Sequence, residues 1–89
     1  MKGRAILAWN LRKLRTERGL SQEKLAADAA VDRAYLGGME REQENPSIDA
    51  LDKVAAALGV ALADLFVAPA ENDIRPAPLR PGRRPARGD

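Results

Sequence analysis

Residues 21–39 read SQEKLAADAAVDRAYLGGM, and this segment sets the architecture of the chain. Ser21 is a good helix N-cap, because its hydroxyl oxygen can accept a hydrogen bond from an orphan backbone amide of the first turn. The pattern predicts a short helix that runs to about Ala29, followed by a second short helix capped by Asp32. Only residues 30–32 separate the two, so the helices must cross steeply and the second is expected to protrude with one face free.

Three further helices are predicted around this pair. The first ends at Gly19 and places Leu7, Leu11, Leu14 and Arg18 on one face, with the spacing of an amphipathic helix. The fourth begins at Ser47 and ends at Gly59. Its inward residues are expected to be Ile48, Leu51, Val54, Ala55 and Leu58. A last short helix covers about 61–66, so the sequence predicts an all-α, compact five-helix domain.

The composition indicates one small domain without metal or thiol chemistry. The 89 residues include no cysteine and no histidine, which removes disulfides and the sulfur and imidazole ligands of zinc. No apolar run approaches the roughly 18 residues of a membrane span, and we expect a cytoplasmic protein with no membrane, metal or cofactor partner. Five of the six prolines lie in residues 69–89, which predicts a Pro/Arg-rich flexible tail after a folded domain of residues 1–68.

Charge is distributed unevenly along the folded part. The whole chain has a formal net charge of +2, which is too mild by itself to indicate a nucleic-acid binder. Residues 1–41 hold nine basic and five acidic side chains, a net charge of +4, whereas residues 42–68 hold one basic and five acidic, a net charge of −4. One half of the domain is therefore a positive pole.

Several motifs together resemble the Cro/C1-type (XRE-like) helix-turn-helix family of phage repressors. They are LRTERGLSQEKLA (14–26), VDRAYLGGMER (31–41), NPS (45–47) and ALGV (57–60). The resemblance covers about residues 5–67 and implies a sequence-specific, double-stranded DNA-binding transcriptional regulator. It also implies a recognition helix at about 32–41 that enters the major groove. Within the family, residues 32–41 are most similar to the controller proteins of restriction–modification genes.

The resemblance assigns roles to individual residues. The DNA-binding set that it implies is Ser21, Gln22, Arg33, Ala34, Tyr35, Gly37, Gly38 and Arg41. Arg33 is the expected base reader, able to make bidentate hydrogen bonds to guanine O6 and N7. Gln22 would pack between phosphate and the recognition helix, Tyr35 would lie along the DNA backbone, and Arg41 would meet phosphate. Arg15 matches a family arginine that pairs with Glu40 in a structural salt bridge.

The chain departs from the family pattern at four places. Ala30 occupies a turn position often taken by glycine, which requires either a negative φ or some strain. Gly37 and Gly38 weaken the recognition helix and leave no side chain where many relatives read bases. The loop after that helix carries acids at Glu42 and Glu44, which oppose phosphate binding. Finally, position 61 holds alanine where a capping hydroxyl is expected.

These observations predict a homodimer without catalytic activity. One recognition helix contacts too few base pairs for specificity, so two copies are needed. The expected dimer interface is apolar and lies on the last helix, at Leu62, Leu65, Phe66 and Val67. The alternative is a protein-interaction module, of the antitoxin or adaptor type, that keeps the fold but reads DNA weakly; the glycines of the recognition helix and the acids after it favour this reading. An enzyme is disfavoured, because neither His nor Cys is available.

Overall fold

The computed structural model describes residues 1–70 and consists of helices in that part of the chain. The elements are α1 (Gly3–Glu17), α2 (Gln22–Ala29), α3 (Arg33–Glu40), α4 (Ile48–Leu58) and a 3-10 helix (Leu62–Phe66). The all-α prediction is confirmed, but the fifth predicted α-helix is a 3-10 helix. A segment of only five residues is too short to form several α-helical hydrogen bonds, and 3-10 geometry is common at that length. The predicted tail lies outside the described residues from position 71 onward.

The predicted N-caps of α2, α3 and α4 are confirmed. Ser21, Asp32 and Ser47 each accept a hydrogen bond from the backbone N–H three residues later, at 2.9, 3.1 and 3.0 Å respectively. Ala61 has no side-chain oxygen to serve this purpose in the 3-10 helix. Its own backbone N–H instead donates to Asp64 Oδ2 at 3.0 Å, so one orphan amide of that terminus is satisfied from inside the element.

All four α-helices end in the same type of turn. A left-handed residue, with φ between 58° and 73°, follows each helix: Ala30 and Gly59 come directly after α2 and α4, and Gly19 and Glu42 come two residues after α1 and α3. That residue and the next then donate backbone hydrogen bonds to the helix carbonyls, in the Schellman pattern. The predicted helix ends at Gly19 and Gly59 are confirmed, because glycine adopts this conformation at little cost. At Ala30 and Glu42 the Cβ atom makes the same conformation sterically strained.

The core lies between the four α-helices and the 3-10 helix: α2 packs against α3 and α4, and α1 packs against α3 and the 3-10 helix. Six side chains are almost fully inaccessible: Leu11, Leu25, Leu36, Met39, Val54 and Leu65. One predicted core residue is placed wrongly by the sequence analysis, because Ile48 is 59% exposed. Ile48 is the first residue of α4, and the buried face of that helix begins two residues later, at Ala50.

Two polar side chains hold the C-terminal segment in place. The buried Asn10 donates from Nδ2 to the backbone oxygens of Leu65 and Val67, at 3.2 and 2.8 Å. Arg18 donates from Nε to the backbone oxygen of Leu58 at 2.9 Å, where a cation complements the C-terminal end of α4. Both contacts join residues more than 39 positions apart, so α1 fixes the positions of α4 and of the 3-10 helix.

Candidate nucleic-acid interface

α3 is held on one side and free on the other. Leu36 and Met39 anchor it in the core, and it packs against both α1 and α2. The residues at its N-terminal end, Arg33 and Ala34, are exposed. An exposed guanidinium at the start of a protruding helix can approach a base edge or a phosphate without displacing any part of the fold.

A buried carboxylate fixes the position of α3 relative to the first two helices. Glu40 is the last residue of α3 and its side chain is 0% exposed. Arg15 of α1 donates to both of its oxygens, from Nε at 2.6 Å and from Nη2 at 2.9 Å. Gln22 donates from Nε2 at 3.0 Å, and Arg12 Nε lies 3.7 Å away. The structure thus brings Arg15 and Glu40 together as a bidentate pair, and adds a hydrogen bond from Gln22 and an ion pair with Arg12.

A shallow groove runs beside this cluster at the junction of α1, α2 and α3. Its lining includes Arg12, Arg15, Ser21, Gln22 and Arg33. Three guanidinium groups outnumber the one carboxylate of the lining, that of Glu23, so the groove is electropositive, although Glu40 neutralises part of the charge from below. The Ser21 hydroxyl accepts from Lys24 N–H, and its oxygen keeps a hydroxyl proton to donate outward. The groove is therefore suited to an anion that reaches across from α2 to α3.

Tyr35 is tied to the start of α4. Its side chain is half-buried, packs against the core, and its hydroxyl oxygen accepts a hydrogen bond from Ser47 N–H at 3.2 Å. The hydroxyl proton remains available to an acceptor outside the protein. Tyr35 therefore joins α3 to the loop that precedes α4.

Gly37 and Gly38, which belong to the predicted DNA-binding set, are both buried. A Cβ atom on Gly37 would lie 3.1 Å from Arg41 Nη1 and 3.4 Å from Gln22 Oε1. A Cβ atom on Gly38 would lie only 2.6 Å from Glu44 Cγ. Side chains from elsewhere thus cover both glycines, because a helix surface without side chains leaves room that longer neighbours fill.

Arg41 is placed by its neighbours at the end of α3. It is exposed, and its Nε donates to Gln43 Oε1 at 3.1 Å. Its Nη1 atom lies over Gly37, as described above, so the guanidinium lies on the surface that Arg33 and Ala34 begin. Ser21, Gln22 and Arg33 therefore line one groove, and Arg41 lies over Gly37 next to Gln22, whereas the Tyr35 hydroxyl lies at the start of α4.

The predicted dimer residues do not all lie on the surface. Leu65 is 0% exposed and fills the core of its own chain, so its predicted place in an interface between chains is wrong. Leu62 is half-buried, whereas Phe66 and Val67 are 42% and 57% exposed. In a helix of one and a half turns, one residue must anchor the element, and Leu65 is the one that points inward.

Sequence reasoning missed Asn10 and Arg12 in this region and its support, and it named Glu44 only as an acid that opposes phosphate binding, without placing it over Gly38. An asparagine inside an otherwise regular helix is a signal for a tertiary hydrogen bond, and Asn10 could have been found in this way. Arg12 and Glu44 carry no local signal, because their positions depend on how distant elements pack. Among residues 1–70, no helix has the length and apolar content to cross a bilayer, and acidic side chains form no metal-ligand cluster.

The fold and this surface define a helix-turn-helix protein of the type that binds DNA. Residues 11–65 match the family model described as helix-turn-helix. A hypothetical transcription factor of Neisseria meningitidis is 44% identical over 68 residues, which cover 76% of this chain and 64% of that protein's length. A solved structure described as a hypothetical transcription factor from Neisseria gives a TM-score of 0.75 at 43% identity, covering 79% of this chain and 80% of the other.

Restriction–modification controller proteins are also similar to this chain. C.MunI of a Mycoplasma species is 44% identical over 57 residues, covering 63% of this chain and 77% of the relative. The structure of C.AhdI from Aeromonas hydrophila gives a TM-score of 0.69 at 44% identity, covering 71% of this chain and 96% of that one. The chain belongs to the XRE-like helix-turn-helix family of DNA-binding transcriptional regulators, and the resemblance seen in the sequence is confirmed.

Proposed function

We propose that this protein regulates transcription by binding double-stranded DNA as a homodimer, with the N-terminal half of α3 in the major groove. One observation carries the proposal: Arg33 is exposed at the start of α3, and the opposite face of this helix is anchored in the core. A side chain on so well-held a helix can reach the same base edge each time the protein binds, which sequence reading requires.

The proposed contacts to DNA are of two kinds: some position the protein on the DNA backbone, and others read base edges. Ser21 and Gln22 lie at the N-terminal end of α2, where backbone amides and the helix dipole favour a phosphate. Arg41 and the Tyr35 hydroxyl group are proposed to meet the DNA backbone farther along α3. Arg33 then reads guanine O6 and N7, and Ala34 permits close approach beside it. Gly37 and Gly38 contribute to the proposed DNA-binding surface only through the side chains that cover them.

The dimer is proposed to form through the exposed part of the C-terminal segment. Leu62, Phe66 and Val67 present apolar surface there, and removing such surface from water favours association against the cost of the motion that is lost on pairing. Two copies related by a twofold axis would place their α3 helices in adjacent major grooves, roughly 34 Å apart. Specificity then comes from two half-sites, each worth about 1–3 kcal/mol per base pair read.

In-vitro selection from a random duplex pool, followed by titration of the selected DNA in increasing salt, tests the proposal. We expect an inverted repeat with half-site centres one helical turn apart. The logarithm of the affinity should fall with that of the salt concentration, by about 0.9 for each phosphate neutralised. Failure to enrich any sequence, together with partner binding that ignores salt, would instead favour a protein-interaction module.

Arg33→Ala and Lys53→Ala form a matched pair for the same experiment. Both remove one exposed cation, but Arg33 begins α3 and Lys53 lies on α4. We expect Arg33→Ala to lose discrimination at one base pair of each half-site, by about tenfold or more, with unchanged thermal stability. Lys53→Ala should keep the full sequence preference; equal preferences in the two variants would show that Arg33 does not read a base.

A further inference from the structure

The strip of the outward face of α3 that runs from Ala34 to Gly38 carries almost no side chain, in contrast to the neighbouring strip with the exposed Arg33. Residues four apart share a helix face, so Gly38 continues the exposed face that begins at Ala34. Ala34 has only a methyl group as its side chain, and Gly38 has no side chain. A surface with so little side chain could approach DNA closely, yet Gly38 is buried in the folded chain. Something else occupies the space beside it.

The turn at the end of α3 determines which residue occupies the space beside Gly38. Glu42 adopts a left-handed conformation with φ of 63°, and its backbone N–H donates to the oxygen of Met39 at 3.2 Å. Gln43 N–H donates to the oxygen of Gly38 at 2.8 Å. These two hydrogen bonds complete a Schellman motif, which folds the chain back along the helix that it has just left. The next residue, Glu44, is thereby directed over α3.

Glu44 occupies the place of the side chain that Gly38 lacks. An ideal Cβ on Gly38 would lie 2.6 Å from Glu44 Cγ, 3.3 Å from Cδ and 3.0 Å from Oε2. The carboxylate stem therefore lies directly on the helix backbone, and the side chain is half-buried there. A carboxylate thus stands on the same face as Ala34, one helical turn along from the Arg33 end of α3.

The chemistry of this carboxylate limits what it can contact. An ionised carboxylate only accepts hydrogen bonds, and it is repelled by phosphates and by the guanine acceptors O6 and N7. In the major groove the exocyclic amino groups of cytosine and adenine are the donors. Adenine also presents the acceptor N7 beside its amino group, whereas cytosine presents no acceptor there. Cytosine N4 is therefore the base-edge group that fits Glu44 best.

We propose that Glu44 is a specificity-determining residue that stands in for the missing side chain of Gly38 and accepts a hydrogen bond from cytosine N4. The proposal rests on the proposed function, since it requires α3 to enter the major groove. It assigns a reading role to a loop acid that would otherwise only weaken DNA binding. Each half-site should then contain a cytosine at one position besides the guanine read by Arg33.

Parallel selections with the full chain and three variants test this assignment. Glu44→Gln removes the charge but keeps the shape, and Glu42→Gln removes the same charge from the same loop as a matched control. We expect Glu44→Gln to lower the preference for cytosine at its position about tenfold, and to shift it toward adenine, which an amide can pair through N6 and N7. Glu42→Gln should leave the preference unchanged. Gly38→Ala should also relax that position, because the added methyl group displaces Glu44.

The possible results separate this proposal from the proposed function. If the unsubstituted chain enriches an inverted repeat and Glu44→Gln selects the same bases with the same preference, the role of Glu44 is overturned while the function stands. If Glu44→Gln binds every duplex more tightly with unchanged preferences, the carboxylate is only a repulsive charge, which also overturns it. If the unsubstituted chain enriches no sequence, both fail. Circular dichroism melting of each variant verifies that the fold is intact.

Discussion

At the scale of single residues, Glu40 is the side chain on which the geometry of the interface depends. Its carboxylate joins α1, α2 and α3, with Arg15 as a bidentate partner and Gln22 as a third donor. Full burial strengthens these interactions but also makes any unpaired member costly, because the interior screens charge poorly. The same cluster thus orients α3 and holds Gln22 at the start of α2.

Removing this carboxylate is expected to destabilise the fold strongly. Glu40→Ala leaves the Arg15 guanidinium, whose side chain is 11% exposed, without its charge partner, and should lower the free energy of unfolding by about 3–5 kcal/mol. Glu17→Ala is the control: its pair with Lys13 is largely exposed, and its loss should cost about 0.5 kcal/mol or less. Urea unfolding measures both. A cost for Glu40→Ala no larger than that of the control would contradict the account.

At the scale of elements, the helix ends show how local sequence and strain combine. The same left-handed turn closes all four α-helices, yet only two of the four positions hold glycine. Ala30 therefore keeps the sharp turn between α2 and α3 at a steric cost of about 1–2 kcal/mol. The turn persists because the packing of α2 and α3 around it determines its conformation.

Replacing Ala30 should therefore stabilise the protein. Ala30→Gly relieves the left-handed strain but adds unfolded-state entropy of about 0.5–1 kcal/mol, so we expect a net gain of about 0.5–1 kcal/mol. Ala27→Gly provides the matched control, since Ala27 is an exposed interior residue of α2, and should destabilise by about 1 kcal/mol. Thermal unfolding compares the two. Destabilisation by Ala30→Gly would show that the turn bears no strain.

Local signals allowed most elements to be predicted, and long-range packing explains what was missed. The caps at Ser21, Asp32 and Ser47 depend on a residue three positions away, so the sequence alone reveals them. The burial of Gly38 and the exposure of Ile48 depend on where other segments lie. In the candidate nucleic-acid interface, Arg33 and the Arg15–Glu40 pair were predicted from a family resemblance, whereas the position of Glu44 over Gly38 is visible only in the folded structure.

At the scale of the whole molecule, the C-terminal segment divides into an anchor and a surface. Leu65 and the hydrogen bonds from Asn10 fasten the segment to α1, and this leaves Phe66 and Val67 facing outward. An apolar surface held by a buried polar contact is rigid, which suits it to self-association. If two chains paired through this segment about a twofold axis, the same axis would relate their two α3 helices.

Charge placed on this surface should separate the proposed dimer. Val67→Asp is expected to weaken dimerisation at least tenfold, because a carboxylate would be buried without a partner in the interface. Ile48→Asp changes a residue of similar exposure, 59% against 57%, outside the segment, and should leave the dimer intact. Sedimentation velocity distinguishes the two. A dimer that survives Val67→Asp but not Ile48→Asp would place the interface elsewhere.

The placement of α3 in paired major grooves is tested most directly by dimethyl sulfate protection of guanine N7 on the selected duplex. The account predicts two protected patches on one face of the DNA, centred one helical turn apart, and loss of protection at one guanine in each patch with Arg33→Ala. Full reactivity of every guanine N7 in a saturated complex would contradict it.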